Sequence, residues 1–248
     1  MYSQNEKQIL VELKNLSSKG KIEAINSAPN AVGMTFKKEM GFNSHNYINF
    51  KYKGFTLRTS NQGKGGTSFE NLFARVPNWE KSECKSSTEI AKLYGVVNLE
   101  KNMEASINCT VSAVRPNSFG FILKLDRVKK LLLENYMNLN GYKTNVCVWD
   151  FKDLEERLLN LGNLVKVNAD KYNHNNKNYF HYSYASFSGQ PNFKRFLDLL
   201  EEGNITLDHL IGRKFGEDVA TEKGPKFRLK SSSNDRLFPD SRFVDLLD

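Results

Sequence analysis

Few residues in this chain are of a type and spacing that could do chemistry. The triplet Glu83-Cys84-Lys85 has the E-x-K form, in which a carboxylate would hold a divalent cation and a lysine would assist the nucleophile, with Glu70 upstream as a second acid. No further acid at strand spacing completes the set. The first aspartate is Asp126, so the first 125 residues offer none in any register. His45, His174, His181 and His209 form no HxxxH or HExxH pattern, which points to surface or hairpin positions rather than a metal centre. Gly63-Lys64-Gly65-Gly66-Thr67 lacks the GxxxxGK[ST] spacing and lies between strand-like segments; it reads as an ordinary loop whose Lys64 can meet a phosphate. Cys84, Cys109 and Cys147 contain no CxxC pair, which argues against a disulfide framework or a zinc site and for buried free thiols.

The elements that must position these residues alternate between helical and strand periods. Ile9, Leu10, Leu13 and Leu16 share one face of a helix over 4–16, and Gly33–Met40 reads as a second, short helix. A strand-like run extends from Tyr47 to Leu57, with another from Phe69 to Val76, and Ser87–Tyr94 is helical up to Gly95. Ala105–Val114 and Phe119–Leu125 read as a hairpin around Arg115–Ser118, after which Asp126 caps a helix. Tyr142–Trp149 is a strand, and Asp150 opens a helix whose Phe151, Leu154, Leu158 and Leu161 align before Gly162. The strands Leu164–Ala169 and Tyr179–Phe187 flank a turn at 173–178, where Tyr179, Tyr182 and Tyr184 are read as cross-strand packing. A helix over Phe193–Glu202 and the strands Ile205–Ile211 and Lys226–Lys230 follow, with a loop from Gly212 to Pro225 between the last two. The fold class is therefore mixed α/β, with no internal repeat.

Composition bounds the function. At 248 residues, 39% hydrophobic and 12% aromatic, the chain can bury a real core, and no apolar run approaches a membrane span or a signal peptide, which sets the expectation of a cytoplasmic protein without a membrane partner. The net charge of +8 favours a polyanionic partner. Its distribution sharpens this. From Ala31 to Trp79 there are seven basic residues (Lys37, Lys38, Lys51, Lys53, Arg58, Lys64, Arg75) against Glu39 and Glu70, and a second basic group, Arg213, Lys214, Lys223, Lys226, Arg228 and Lys230, follows in the loop and strand near the C-terminus.

Three blocks together carry a resemblance. Gly33-Met34-Thr35-Phe36-Lys37-Lys38 followed by Asn49-Phe50-Lys51-Tyr52-Lys53-Gly54-Phe55-Thr56-Leu57-Arg58-Thr59 is similar to G-x-T-F-E, then D-F-x-G-I-E-L-K-T. Asn71-Leu72-Phe73-Ala74-Arg75-Val76-Pro77 is similar to T-L-F-T-K-x-P. From Trp149-Asp150-Phe151 through Val165–Ala169, Tyr179–Tyr182 and Leu199–Gly203 to Gly224-Pro225-Lys226-Phe227-Arg228-Leu229 the chain follows a closing arrangement that ends H-G-T-A-F-R-I. In order and spacing the chain resembles the MutH/MvaI/BcnI endonucleases of the PD-(D/E)xK nuclease superfamily.

The resemblance implies a restriction-endonuclease-like core, a mixed sheet flanked by helices, in two lobes forming a clamp on duplex DNA. A nuclease-like lobe over 1–145 and a second lobe over 146–248 are expected. It also implies cleavage by paired carboxylates holding Mg²⁺. The positions that should carry this chemistry are changed: Lys37 and Thr56 stand for glutamates, Asn49 for the aspartate and Arg58 for the lysine. A cation and neutral oxygens are poor company for Mg²⁺. The expected function is thus duplex DNA binding without cleavage, as a recognition subunit or regulator, with no catalytic residue, metal or cofactor, and with an active nuclease or methyltransferase subunit as a further partner. The DNA contacts are assigned to Lys38, Lys51, Lys53, Lys64, Arg75, Arg213, Lys214, Lys223, Lys226 and Arg228. Two alternatives stand beside this: a Mg²⁺-dependent type II restriction endonuclease whose site has moved to Glu70, Glu83 and Lys85, and a protein–protein interaction scaffold.

Overall fold

The computed structural model describes residues 2–42, 50–61, 68–138, 141–222 and 224–248. The chain opens with helix α1 (Gln4–Ser17), strand β1 (Ile22–Glu23), helix α2 (Ala31–Glu39), and the strands β2 (Phe50–Tyr52), β3 (Phe55–Asn61) and β4 (Phe69–Ala74). Helix α3 (Ser87–Tyr94) leads to β5 (Val96–Asn98), β6 (Met103–Val111), β7 (Phe121–Asp126), β8 (Leu131–Asn138) and β9 (Gly141–Asp150). Then come α4 (Phe151–Leu159), the long strands β10 (Asn163–His174) and β11 (Lys177–Ser188), α5 (Phe193–Glu201), β12 (Ile205–Lys214), β13 (Thr221–Glu222), β14 (Lys226–Lys230), α6 (Asn234–Leu237) and β15 (Arg242–Asp245). The chain divides into two compact units that interleave in sequence: one holds 1–68, 159–192 and 234–248, the other 69–158 and 193–233. The boundary expected at 145/146 falls inside β9.

The first unit is built on a sheet of order β1-β11-β10-β3-β2, with β15 also paired to β11. Its pivotal contact is the parallel ladder of β3 and β10, from Phe55↔Asn163 to Asn61↔Ala169. Ser3 and Glu6 close a capping box at the start of α1. Helical spacing then sets Ile9, Leu13 and Leu16 into a core with Val32 and Phe36 of α2 and with Phe55, Leu57, Val165, Val167, Tyr182 and Phe187 of the sheet. Burial of such a side chain stabilises the fold by about 1.5–3 kcal/mol each. The run expected over Tyr47–Leu57 is a hairpin within its described part: Lys53 and Gly54 both have positive φ (48° and 84°), the geometry of a tight two-residue turn between β2 and β3.

The second unit contains a sheet of order β4-β14-β12-β6-β5, with β13 beside β12, and a three-stranded sheet β7-β8-β9. Two expectations fail here. The segments Ala105–Val114 and Phe119–Leu125 do not pair as a hairpin: β6 pairs with β5 and β12, and β7 pairs with β8. Asp126 caps a turn rather than a helix, its Oδ1 accepting the Lys129 N–H at 2.8 Å, and Leu131–Asn138 runs on as the central strand of the small sheet. A short apolar run such as Leu131-Leu132-Leu133 fits a helix or a strand equally well, and neighbours on both sides decide for the strand.

Candidate nucleic-acid interface

Strand alternation decides which residues of β3 face the core. Phe55 and Leu57 are buried against α1 and α2, so Thr56, Arg58 and Ser60 point from the opposite face. The parallel register sets Lys166 beside Arg58 and Asn168 beside Ser60, whose hydroxyl donates to Asn168 Oδ1. Further along β10, the Ser183 hydroxyl donates to Asp170 at 2.7 Å. One face of this sheet thus carries a polar strip with two cations side by side. Lys166 was not among the expected contacts; its place in Val-Lys-Val marks it as facing away from the core, but only the parallel pairing brings it to Arg58.

The positions that the sequence set where carboxylates would be needed are used otherwise. Thr56 is 1% exposed and its hydroxyl donates to the Leu161 carbonyl, tying β3 to the turn that leads into β10. Lys37 sits in the last turn of α2, 8% exposed, with its ammonium 5.3 Å from the centre of the Phe50 ring. Burial pushes its pKa below the ordinary lysine value. Asn49 lies outside the described residues, as do His45, Lys64 and its glycine loop, and Lys223. Among the described residues no three His, Cys, Asp or Glu side chains gather so as to hold a metal ion. A cation and a committed hydroxyl do not fit Mg²⁺, which requires hard anionic oxygens.

The relocated set fares no better. Glu83 and Lys85 lie in the turns before α3, not on a strand. Glu83 faces Lys143 at 3.6 Å, and Glu70, on β4, accepts the Ser231 hydroxyl at 3.0 Å. The Lys85 ammonium donates to the carbonyls of Trp79 and Glu80, at 3.2 and 3.3 Å, and to that of Ser82, so it closes its own turn.

Of the eight described basic residues expected to meet DNA, five are engaged within the unit that carries them. Lys53 reaches Gln8 at 2.7 Å and Glu12 at 3.2 Å. Arg75 pairs with Asp153 at 2.7 Å, and Arg213 with Glu104 at 2.8 Å. Lys214 lies 3.7 Å from Glu217. Arg228 pairs with Asp208 at 2.6 Å and donates to the Phe69 carbonyl at 2.9 Å. Among the described residues Lys38, Lys51 and Lys226 make no ion pair, and Lys38 and Lys51 are exposed. The exposed pairs of Arg75 and Lys214 are worth about 0–1 kcal/mol, so a phosphate can compete for those two cations at little cost.

Sequence reasoning missed one buried constellation in the second unit. His209 of β12, expected at the surface, is 1% exposed; its Nε2 lies 3.0 Å from both oxygens of Glu134 on β8, and its Nδ1 lies 3.8 Å from Glu222 of β13. The Ser87 hydroxyl holds Glu222 from the start of α3. Burial alone would lower the imidazole pKa, but the Glu134 carboxylate and then Glu222 outweigh it and raise the value to about 10. The three thiols are free, as expected; Cys84 and Cys147 are buried, whereas Cys109, also expected inside, is partly exposed.

With the geometry in hand, the model of the MvaI/BcnI restriction endonuclease family matches residues 10–238. The chain belongs to that family. Two solved structures share its fold. One, described as a restriction endonuclease MvaI–cognate DNA substrate complex, is 18% identical, with a TM-score of 0.80 over 99% of this chain and 100% of that one. The other, MvaI in the absence of DNA, is 17% identical, with a TM-score of 0.60 over 98% of this chain and 99% of that one. Comparison with curated proteins gave no match. The expected mixed α+β, restriction-endonuclease-like fold is thereby borne out. No helix of the described residues is long and apolar enough to cross a membrane.

Proposed function

We propose that this MvaI/BcnI family member binds duplex DNA and does not cleave it, serving as a recognition or regulatory subunit. The observation that carries the reading is the fate of the site positions: Lys37 and Thr56 stand where the family resemblance calls for carboxylates, and the Thr56 hydroxyl is committed to the Leu161 carbonyl. Family membership and a fold shared with an endonuclease solved on its cognate DNA support the choice of ligand. Phosphate contacts come from Lys38, Lys51, Arg58, Lys226 and Arg228, and binding needs no metal. Lys85, closed onto three backbone carbonyls, weighs against a relocated catalytic set. A cytoplasmic location and a partnership with an active nuclease or a methyltransferase go with this reading.

The test pairs two assays on the purified chain. Supercoiled plasmid incubated with Mg²⁺ or Mn²⁺ stays uncut, while a mixed-sequence duplex shifts on a gel with an affinity that falls roughly 10²–10³-fold between 50 and 200 mM salt, as about five phosphate contacts require. Linear products at fixed positions would refute the loss of cleavage, and no shift at low salt would refute DNA binding.

A further inference from the structure

The hairpin of β10 and β11 ends in an exposed tip. Among the described residues the ladder with β3 reaches Asn61↔Ala169, and β10 itself extends to His174. On its other side, β1 and the N–H of Ala24 hold β11 only as far as Asn178. Beyond lies a two-residue turn, Asn175-Asn176, with φ of 50° and 60°, the type I′ geometry that keeps a two-stranded ribbon regular. The pairs below it are His174↔Lys177 and Asn173↔Asn178, which alternation places on opposite faces. Asn173, His174, Asn175, Asn176 and Lys177 are all exposed. The aromatic residues beside the turn divide as packing requires: Tyr182 is buried in the core and Tyr172 lies under the Lys21 ammonium, 4.2 Å from ring centre to Nζ.

We propose that this tip enters a groove of the duplex and reads base edges, making it a specificity-determining element; the inference rests on the DNA-binding reading above. A two-stranded ribbon fits the major groove, about 12 Å wide, and asparagine amides can bridge the N6 and N7 of adenine with a donor and an acceptor. The register presents amides on the turn and on one face and an imidazole with an ammonium on the other. Lys171 and Lys177 flank the tip, the latter in an exposed pair with Glu23 at 2.8 Å, and can follow phosphates as the tip descends. A merely solvated turn would not need this density of two-way hydrogen-bonding side chains.

Two variants test the tip without breaking it. Asn175→Gly with Asn176→Gly removes both amides while keeping residues at ease with positive φ, and His174→Ala acts outside the turn. Bound duplexes are selected from a randomised pool with the wild type, and affinities are then measured on the selected and on a scrambled duplex. The wild type prefers the selected duplex, and each variant loses about tenfold of that preference. Melting temperature, affinity for the scrambled duplex and its salt slope stay unchanged. A preference intact in both variants, or a wild type that binds DNA without any preference, overturns the inference and leaves DNA binding standing. A wild type that binds no duplex overturns the DNA-binding reading itself.

Discussion

Neutralising Glu134 tests whether the buried pair with His209 ties the small sheet to the larger one. Glu134 is fully buried on β8, and both its oxygens lie 3.0 Å from the Nε2 of His209, itself 1% exposed on β12. In Glu134→Gln the imidazolium keeps only Glu222, 3.8 Å from Nδ1. Removing one partner of a buried pair costs about 3–5 kcal/mol. At about 2–4 °C per kcal/mol for a chain of this size, the melting temperature falls by roughly 6–20 °C. The pH dependence separates this from a packing defect. Because the imidazolium pKa is raised on folding, from 6.5 to about 10, its stabilisation is complete below about pH 6.5 and fades as pH rises through 10. Burial pushes the thiols of Cys84 and Cys109 up to about 11 and 12, and that of Cys147 well above its ordinary value; the same thiols ionise earlier in the unfolded chain and add a downward slope of their own above about pH 8, so the imidazolium is isolated below that. Melting curves followed by near-ultraviolet circular dichroism from about pH 6 to 8 should show a downward slope in the wild type that is reduced in Glu134→Gln. A Glu134→Gln variant that melts within about 2 °C of the wild type at pH 7 and keeps its slope would refute the reasoning.

Three further outcomes follow from named contacts. Thr56→Val leaves the Leu161 carbonyl without its donor and should lower stability by about 1–3 kcal/mol in a urea titration, with the midpoint shifted and the slope kept. Arg228→Ala and Arg58→Ala should each weaken duplex binding and reduce the salt slope by about 1, read by fluorescence anisotropy over a salt series; Arg228→Ala should in addition lower the melting temperature, because Asp208 and the Phe69 carbonyl lose their partner. Gly120→Ala should prevent a stable fold of the second unit, visible as lost near-ultraviolet dichroism, since a Cβ there would stand 2.3 Å from the Met137 carbonyl oxygen at a φ of 96°.

The sequence was most readable where one face of an element is apolar. The stripes Ile9-Leu13-Leu16 and Phe151-Leu154-Leu158 announce α1 and α4, and alternation announces β10, β11 and β12. It was least readable where pairing is distant. Leu131–Asn138 became a strand because β7 and β9 flank it, and Glu134 and His209, 75 residues apart, give no sign of each other until β8 and β12 are placed. Lys53 in a left-handed turn defied the rule that a side chain avoids positive φ, which hid the hairpin of β2 and β3. The candidate site was readable by residue type and not by engagement. That Arg75, Arg213 and Arg228 are basic is plain from the chain; that Asp153, Glu104 and Asp208 answer them is a matter of register.

The interleaving of the two units has a consequence for biosynthesis. The second unit is complete once residue 233 has left the ribosome, whereas the first still waits for β15, which closes the edge of β11 from Tyr184↔Asp245 to Phe187↔Arg242, and for Arg242 to reach Glu6. A nascent chain must therefore leave the edge of β11 open until residues 242–245 emerge, and neither unit can be isolated by shortening the gene from one side.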